Sequence, residues 1–335
     1  MKTILITGAG GYIGSVAAYV LLSKGYAVVA LDNFSTGFAQ PLKLLKKKYG
    51  AKMLRIYKVD LAGDLTEVFN KEKKIDAVLH YAAKCSVNES MEYPEKYFEN
   101  NTCATTNFLG QVLKNKIKNL VFSSTCAVYR EAVYMPLDER HPTEPANPYG
   151  ESKLMSEKII EWYSKVHDLH YVILRYFNVC GATDDGTIGD SKSPSPHLMQ
   201  NAVRGALGIE PFSLTCGKFD TTDGTPIRDY VNVVDLAEAH ILAVEYLLNG
   251  GENEIINLGT GEGNSVLEIV DQVQEITGES FELTKTEARK GEYAKMIAAT
   301  DKAKRTLGWT PKHTLKDSVQ SLVKWYTTNP KGWKK

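Results

Sequence analysis

The chain has 335 residues, 43% hydrophobic and 24% charged, a balance that fits a folded globular protein and excludes a disordered one. Forty Lys+Arg offset forty Asp+Glu, so no bulk positive field draws it to nucleic acid or to an anionic membrane. No apolar run approaches the ~20 residues of a membrane span, and the N-terminal run breaks at Gly8, too short for a signal peptide.

Residues 4–6 read as a first strand, followed by a glycine turn and a helix over 15–24. Residues 27–31, 55–58, 77–80, 120–123 and 172–174 read as five more strands. Helical stretches at 65–73, 102–114 and 149–167 lie between the later ones. Strands alternating with helices predict a parallel sheet covered on both faces. The pattern then loosens. Residues 181–196 are rich in Gly, Asp, Ser and Pro and read as a long loop of the kind that often lies over a site. Helices are expected at 198–207, 234–248, 266–277 and 315–327, with short strands between. The predicted fold class is α/β: a doubly wound, Rossmann-type parallel sheet over residues 1–178. A smaller mixed α/β region over 179–335 is built onto it, with some segments returning to the first. Five cysteines (Cys85, Cys103, Cys126, Cys180, Cys216) form no CxxC pair. That argues against a disulfide framework or a structural metal site and for a reducing, cytoplasmic setting.

Gly8-x-x-Gly11-x-x-Gly14 falls between the first strand and the first helix. Glycines let the backbone approach a ligand, and the helix start offers N–H groups and a positive dipole end to a pyrophosphate. The bland alternative is an ordinary turn. Asp32, eighteen positions after Gly14 at the end of the second strand, favours the dinucleotide reading. A carboxylate there accepts from the adenosine ribose hydroxyls and repels a 2′-phosphate. Asn33-Phe34-Ser35 supplies no arginine for such a phosphate, so NAD is expected rather than NADP. Asp60, after the third strand, is placed to reach the adenine.

Tyr149 and Lys153 stand four apart at the start of a long helix, so both point the same way. A surface pair is the common meaning of that spacing. After a nucleotide-binding half, a second meaning gains weight. The ammonium lowers the phenol's pKa, and the phenolate removes a proton from a sugar hydroxyl as hydride leaves the same carbon. Ser123-Ser124-Thr125, at the carboxyl end of the fifth strand, lies where open parallel sheets bind ligands.

Together these residues resemble the extended short-chain dehydrogenase/reductase superfamily, and within it the UDP-glucose 4-epimerase family. The resemblance runs almost end to end. It includes Leu31-Asp32-Asn33-Phe34-Ser35-Thr36-Gly37, Tyr97-Phe98-Glu99-Asn100-Asn101, Pro148-Tyr149-Gly150-Glu151-Ser152-Lys153 and Leu174-Arg175-Tyr176-Phe177-Asn178. Further on it includes Asp223-Gly224-Thr225-Pro226-Ile227-Arg228-Asp229-Tyr230, Asn257-Leu258-Gly259-Thr260-Gly261 and Arg289-Lys290-Gly291-Glu292. It implies Tyr149 as catalytic base, with Lys153 tuning it and holding the nicotinamide ribose. Thr125, with Ser124 beside it, would hydrogen-bond the reacting hydroxyl. The resemblance places NAD on Gly8, Gly11, Tyr12, Ile13, Gly14, Asp32, Asn33, Asp60 and Leu61. It adds Tyr81, Ala82, Ala83, Lys84, Asn100 and Ser123, with Tyr176 and Phe177 near the nicotinamide. A UDP-sugar would meet Thr125, Tyr149, Asn178, His197, Leu198, Arg228 and Arg289, the arginines on the diphosphate. Met296, seven positions after Arg289, would border the sugar's C2 substituent or else face the core. A homodimer is implied on the same ground.

Three departures stand out. A family lysine after the fourth strand aligns with Cys85, one place after Lys84. His197 replaces a frequent asparagine, and Arg130 replaces a glycine. Three chemistries compete. The first is 4-epimerisation of UDP-glucose/UDP-galactose or another UDP-sugar, by oxidation at C4, rotation of the 4-keto sugar and hydride return. The second is a nucleotide-sugar dehydratase, which would want an acid after Thr125, where Cys126 stands. The third is a non-catalytic dinucleotide sensor, which would be expected to lose Tyr149 or Lys153.

Overall fold

Ile4 and Ile6 of β1 (Thr3–Thr7) pack into one apolar cluster, while Leu5 between them packs into another. The same division separates Val28 and Ala30 from Val29 and Leu31 on β2 (Ala27–Asp32). A two-residue period that is apolar on both faces is what a parallel sheet covered on both sides requires. It is why these strands read as unbroken apolar runs. The computed structural model describes residues 1–193, 195–215, 219–280, 284–286 and 293–334.

The sheet continues through β3 (Leu54–Lys58), β4 (Ala77–His80), β5 (Asn119–Thr125) and β6 (His170–Tyr176). Its order is β3-β2-β1-β4-β5-β6, with a seventh strand, Glu254–Leu258, beyond β6 and every neighbouring pair parallel. This is the expected Rossmann-type sheet. One face is covered by α1 (Tyr12–Ser23), α2 (Gln40–Tyr49) and the Val233–Leu248 helix, through Val16, Leu21, Leu42, Leu236 and Val244. The other carries α3 (Thr66–Lys71) and the Ala104–Lys114 and Pro148–Val166 helices, through Phe69, Phe108 and Ile160.

Residues beyond 179 thus supply both a strand and a helix to the first layer. The Glu254–Leu258 strand escapes a periodicity reading because it is five residues long and carries Asn257, whose burial depends on partners elsewhere. α2 escapes it because three lysines fill its last turn. The helix expected from residue 102 begins at Ala104, after a π-helical turn over Phe98–Cys103. A third cluster joins the Leu198–Ala206, Val266–Thr277 and Leu315–Thr328 helices through Met199, Val203, Ile269, Val273 and Trp325.

The chain runs outward from β1 through β2 to β3, then returns to β4 on the other side of β1. That reversal opens a crevice at the carboxyl ends of β1 and β4, the place where such sheets bind ligands.

Candidate active site

The glycine turn follows β1 into this crevice. Gly8 has φ +67°, and a Cβ on it would lie 2.7 Å from the Ala82 nitrogen, so only glycine fits between the two loops. Gly11 caps α1, and no side-chain oxygen caps the helix start with it. The first N–H groups of α1 therefore face the crevice with their dipole end available to an anion. Asp32 closes the adjoining wall, its carboxylate accepting from the N–H groups of Gly10 at 2.8 Å and Phe34 at 2.6 Å. Burial raises its pKa, and those two N–H groups oppose the rise. Asn33 donates to Asp60 at 2.8 Å, and the Ala62 N–H, with this amide, lowers the Asp60 pKa. The residues present fit a dinucleotide: a glycine cradle for phosphates, then a carboxylate for a ribose.

The same cavity reaches the Tyr149–Lys153 pair. Asn147 starts the Pro148–Val166 helix by accepting from the Gly150 N–H at 2.9 Å. Gly150 allows that helix start to lie on the turn after β5, because a Cβ there would come within 2.2 Å of the Ala127 oxygen. Tyr149 is thereby set beside Thr125, whose hydroxyl reaches the phenol. Lys153 lies one turn further on, its Nζ 4.1 Å from the centre of the Phe122 ring. Both side chains are enclosed, Tyr149 8% and Lys153 3% exposed. Burial pushes the Tyr149 phenol well above its ordinary pKa, and the Thr125 hydroxyl opposes the rise. Burial also pushes Lys153 down to about 7, against the nearby Glu157 and Cys85. Removing water disfavours the charged form of both groups.

The lining gathers most of the expected residues. Gly8, Gly11, Tyr12, Ile13, Gly14, Asp32, Asn33, Asp60, Leu61, Tyr81, Ala82, Ala83, Lys84 and Asn100 bound the nucleotide side. Thr125, Tyr149, Lys153, Tyr176, Phe177, Asn178 and His197 bound the other, with Cys85. Five expected residues are not in that lining. Ser123 and Ser124 point to opposite faces of the sheet. The Ser123 hydroxyl lies 2.8 Å from His240 Nε2, and the Ser124 hydroxyl donates to Glu157. Leu198 packs on the helical cluster of the second region. Arg228 donates to the Ile227 carbonyl at 2.9 Å. Met296 is 5% exposed in an apolar cluster with Val128, Tyr129, Leu137, Leu154, Phe177 and Ala298, so it faces the core behind Phe177. Arg289 lies outside the described residues.

Two features are absent from the sequence reading. Asp190 and Lys192 of the 181–196 connection enter the lining. Behind the site, Arg175 Nη2 meets Glu157 Oε2 at 2.5 Å and its Nη1 donates to the Tyr129 hydroxyl at 3.1 Å, which donates to Asn257 at 2.7 Å. Glu157 follows Lys153 by four positions on one helix, a spacing that could have marked it.

A Rossmann sheet with an uncapped helix start at its switch point, and a phenol and an ammonium facing the same crevice, defines a nicotinamide-dinucleotide enzyme acting on a hydroxyl-bearing carbon. Residues 4–259 match the NAD dependent epimerase/dehydratase family. A UDP-glucose 4-epimerase of Halalkalibacterium halodurans is 39% identical over 333 residues, 98% of this chain and 97% of that one. One from Lacticaseibacillus casei is 40% identical over 335 residues, covering 99% and 98%. A crystal structure of UDP-glucose 4-epimerase from Bifidobacterium longum, in complex with NAD+ and UDP, superposes with a TM-score of 0.93 at 33% identity, covering 99% and 100%. The chain belongs to the NAD dependent epimerase/dehydratase family, and NAD is its cofactor.

Proposed function

We propose that the chain interconverts UDP-glucose and UDP-galactose by epimerisation at C4. The observation that carries this reading is the opening of Tyr149, Lys153 and Thr125 into the same cavity as the glycine cradle. Bound NAD supplies a reversible hydride acceptor. Tyr149 takes the proton from the C4 hydroxyl and later returns it to the same oxygen, so the protein ends each turnover unchanged. Thr125 orients that hydroxyl, and Lys153 holds the nicotinamide ribose and keeps a positive charge beside the phenol. Gly8, Gly11 and the α1 N–H groups hold the pyrophosphate, and Asp32 the adenosine ribose. Asn178 and His197 face the UDP-sugar. Cys126 after Thr125 offers no acid for an elimination, because burial raises its thiol to about 12. Relatives named UDP-glucose 4-epimerase along nearly their whole length support the choice of substrate.

The test is to incubate the purified protein with UDP-galactose and no added NAD. UDP-glucose should form, and denaturation should release NAD. Tyr149→Phe should lower turnover by ~10² or more while the UDP-sugar still binds. A folded, NAD-bearing protein that leaves UDP-galactose unchanged would overturn the reading.

The working unit on this reading is a homodimer. Met155, Trp162 and Val166 are exposed along one face of the Pro148–Val166 helix, and Met91 is exposed on the Val87–Glu92 helix packed against it. A second copy of this face is its occupant. Light scattering should give twice the chain mass, and Trp162→Glu should shift it toward the monomer. Among the described residues no helix is long and apolar enough to cross a membrane. Cys85, Cys103, Cys126 and Cys180 are free thiols, in keeping with a cytoplasmic location.

A further inference from the structure

A cation in the cavity wall, Lys192, has no part in the mechanism above. Lys192, on the 181–196 connection, lines the cavity together with Tyr149, Asn178 and His197. Its ammonium points at Cys85 Sγ, 3.5 Å away, and this is its hydrogen-bond partner among the described residues. A thiol is a weak acceptor, whereas an ammonium carries three donors. The pairing leaves most of that donor capacity unused inside a ligand cavity.

The backbone that carries Lys192 is fixed from both sides. Asp190 Oδ1 accepts the Lys192 N–H at 3.1 Å, and Arg204 Nη1 donates to the Lys192 carbonyl at 2.9 Å. Asp190 and Arg204 are themselves 1% and 2% exposed. Asp190 also accepts from the Ser195 hydroxyl and holds Trp325 Nε1 on its carbonyl at 3.0 Å. A loop anchored this way directs one long side chain into the cavity instead of leaving it to solvent. Cys85 marks where the side chain ends. Cys85, Tyr149, Lys153 and Tyr176 line the same cavity, so the ammonium opens into the space that holds the reacting pair. Cys85 and Asp190 keep Lys192 protonated against its burial.

We propose that Lys192 is a sugar-binding residue: its ammonium turns from the Cys85 thiol to donate to a hydroxyl oxygen of the UDP-bound hexose. The proposal rests on reading the cavity as a UDP-hexose site. It separates two sources of oxygen ligand, the sugar and the diphosphate, and assigns Lys192 to the sugar.

The test measures binding of UDP and of UDP-galactose by calorimetry on the NAD-loaded protein, with kcat and KM alongside. Lys192→Met keeps the stem and removes the charge. UDP-galactose should bind roughly tenfold or more weakly and its KM should rise in parallel, the scale of one charge-assisted hydrogen bond. UDP should bind within a factor of two of the native protein, and NAD content should not change. Lys192→Arg should recover part of the loss. Lys192→Gln, with a shorter polar side chain, gives the same readout if the methionine variant does not fold. Equal weakening of UDP and UDP-galactose would move Lys192 to the diphosphate and overturn the proposal. Unchanged binding of both, or loss of NAD from every variant, would also overturn it. If the native protein binds UDP-galactose without epimerising it, the proposed function fails while the binding comparison still decides the role of Lys192.

Discussion

Glu157→Gln removes one charge from a buried pair and keeps the side chain's shape. In the native protein the Arg175 guanidinium grips both carboxylate oxygens, Nη2 to Oε2 at 2.5 Å and Nε to Oε1 at 3.0 Å. Glu157 is 1% and Arg175 4% exposed, so solvent cannot take over either charge. An amide offers only one acceptor oxygen and turns a donor toward the guanidinium. Removing one partner of a buried ion pair costs about 3–5 kcal/mol. At about 2.1 cal/mol/K per residue, a chain of 335 residues unfolds with an entropy of roughly 0.7 kcal/mol/K. Tm should therefore fall by about 4–7 °C in scanning calorimetry of the NAD-loaded protein. The variant also reaches the chemistry. The Glu157 carboxylate supports the charge on Lys153 against the burial that brings its pKa to about 7. Loss of the anion lowers that pKa further, so less Lys153 is charged at neutral pH. The alkaline limb of kcat/KM should then move to lower pH. A Tm within about 1 °C of the native value, together with an unmoved alkaline limb, would refute both parts of the reasoning.

Thr125→Val should reduce kcat by ~10-fold or more, because its hydroxyl faces Tyr149. Ser124→Ala, whose hydroxyl is given to Glu157, should instead lower Tm and leave kcat within a few-fold; steady-state kinetics and melting curves separate the two. Met296→Tyr should destabilise by about 1–3 kcal/mol through overpacking of the cluster around Phe177. It should change kcat/KM for UDP-galactose and UDP-N-acetylgalactosamine alike, and a selective loss of the N-acetyl substrate would place Met296 in the sugar pocket after all. His313 bridges Asp235 at 2.8 Å and Asp184 at 3.1 Å, and the hydrogen bond to Asp235 lifts its pKa to about 9. A raised pKa stabilises the fold fully below ~6.5, and that stability is lost as pH rises through about 9. The Asp184 end is 68% exposed, so screening limits the effect to about 1 kcal/mol. His313→Gln should flatten the decline of Tm between pH 7 and 9 (the interval just below that pKa).

Local chemistry was legible in the residues themselves. The glycine turn, Asp32 eighteen positions later and the four-residue spacing of Tyr149 and Lys153 each depend on neighbours within one turn or one strand–helix unit. Such features are fixed by backbone geometry before any long-range contact forms. Apolar runs on alternating strands likewise specified a parallel sheet, because only burial on both faces tolerates them. Where adjacent residues diverge, the sequence was silent. Ser123, Ser124 and Thr125 look equivalent as a string, yet one meets His240 and the next meets Glu157. Thr125 reaches the cavity. That choice depends on which helix covers each face of β5. The Glu254–Leu258 strand and the Val233–Leu248 helix joined the first layer because the sheet's free edge and the exposed flank of α1 needed covering. Met296, counted from Arg289, was left between the sugar pocket and the core, and its partners Val128, Leu137 and Phe177, from three distant segments, put it in a core cluster. Lys192 entered the cavity because buried Asp190 and Arg204 fix its backbone. A loop's direction is set by anchors on other elements, and only the folded chain brings those anchors together.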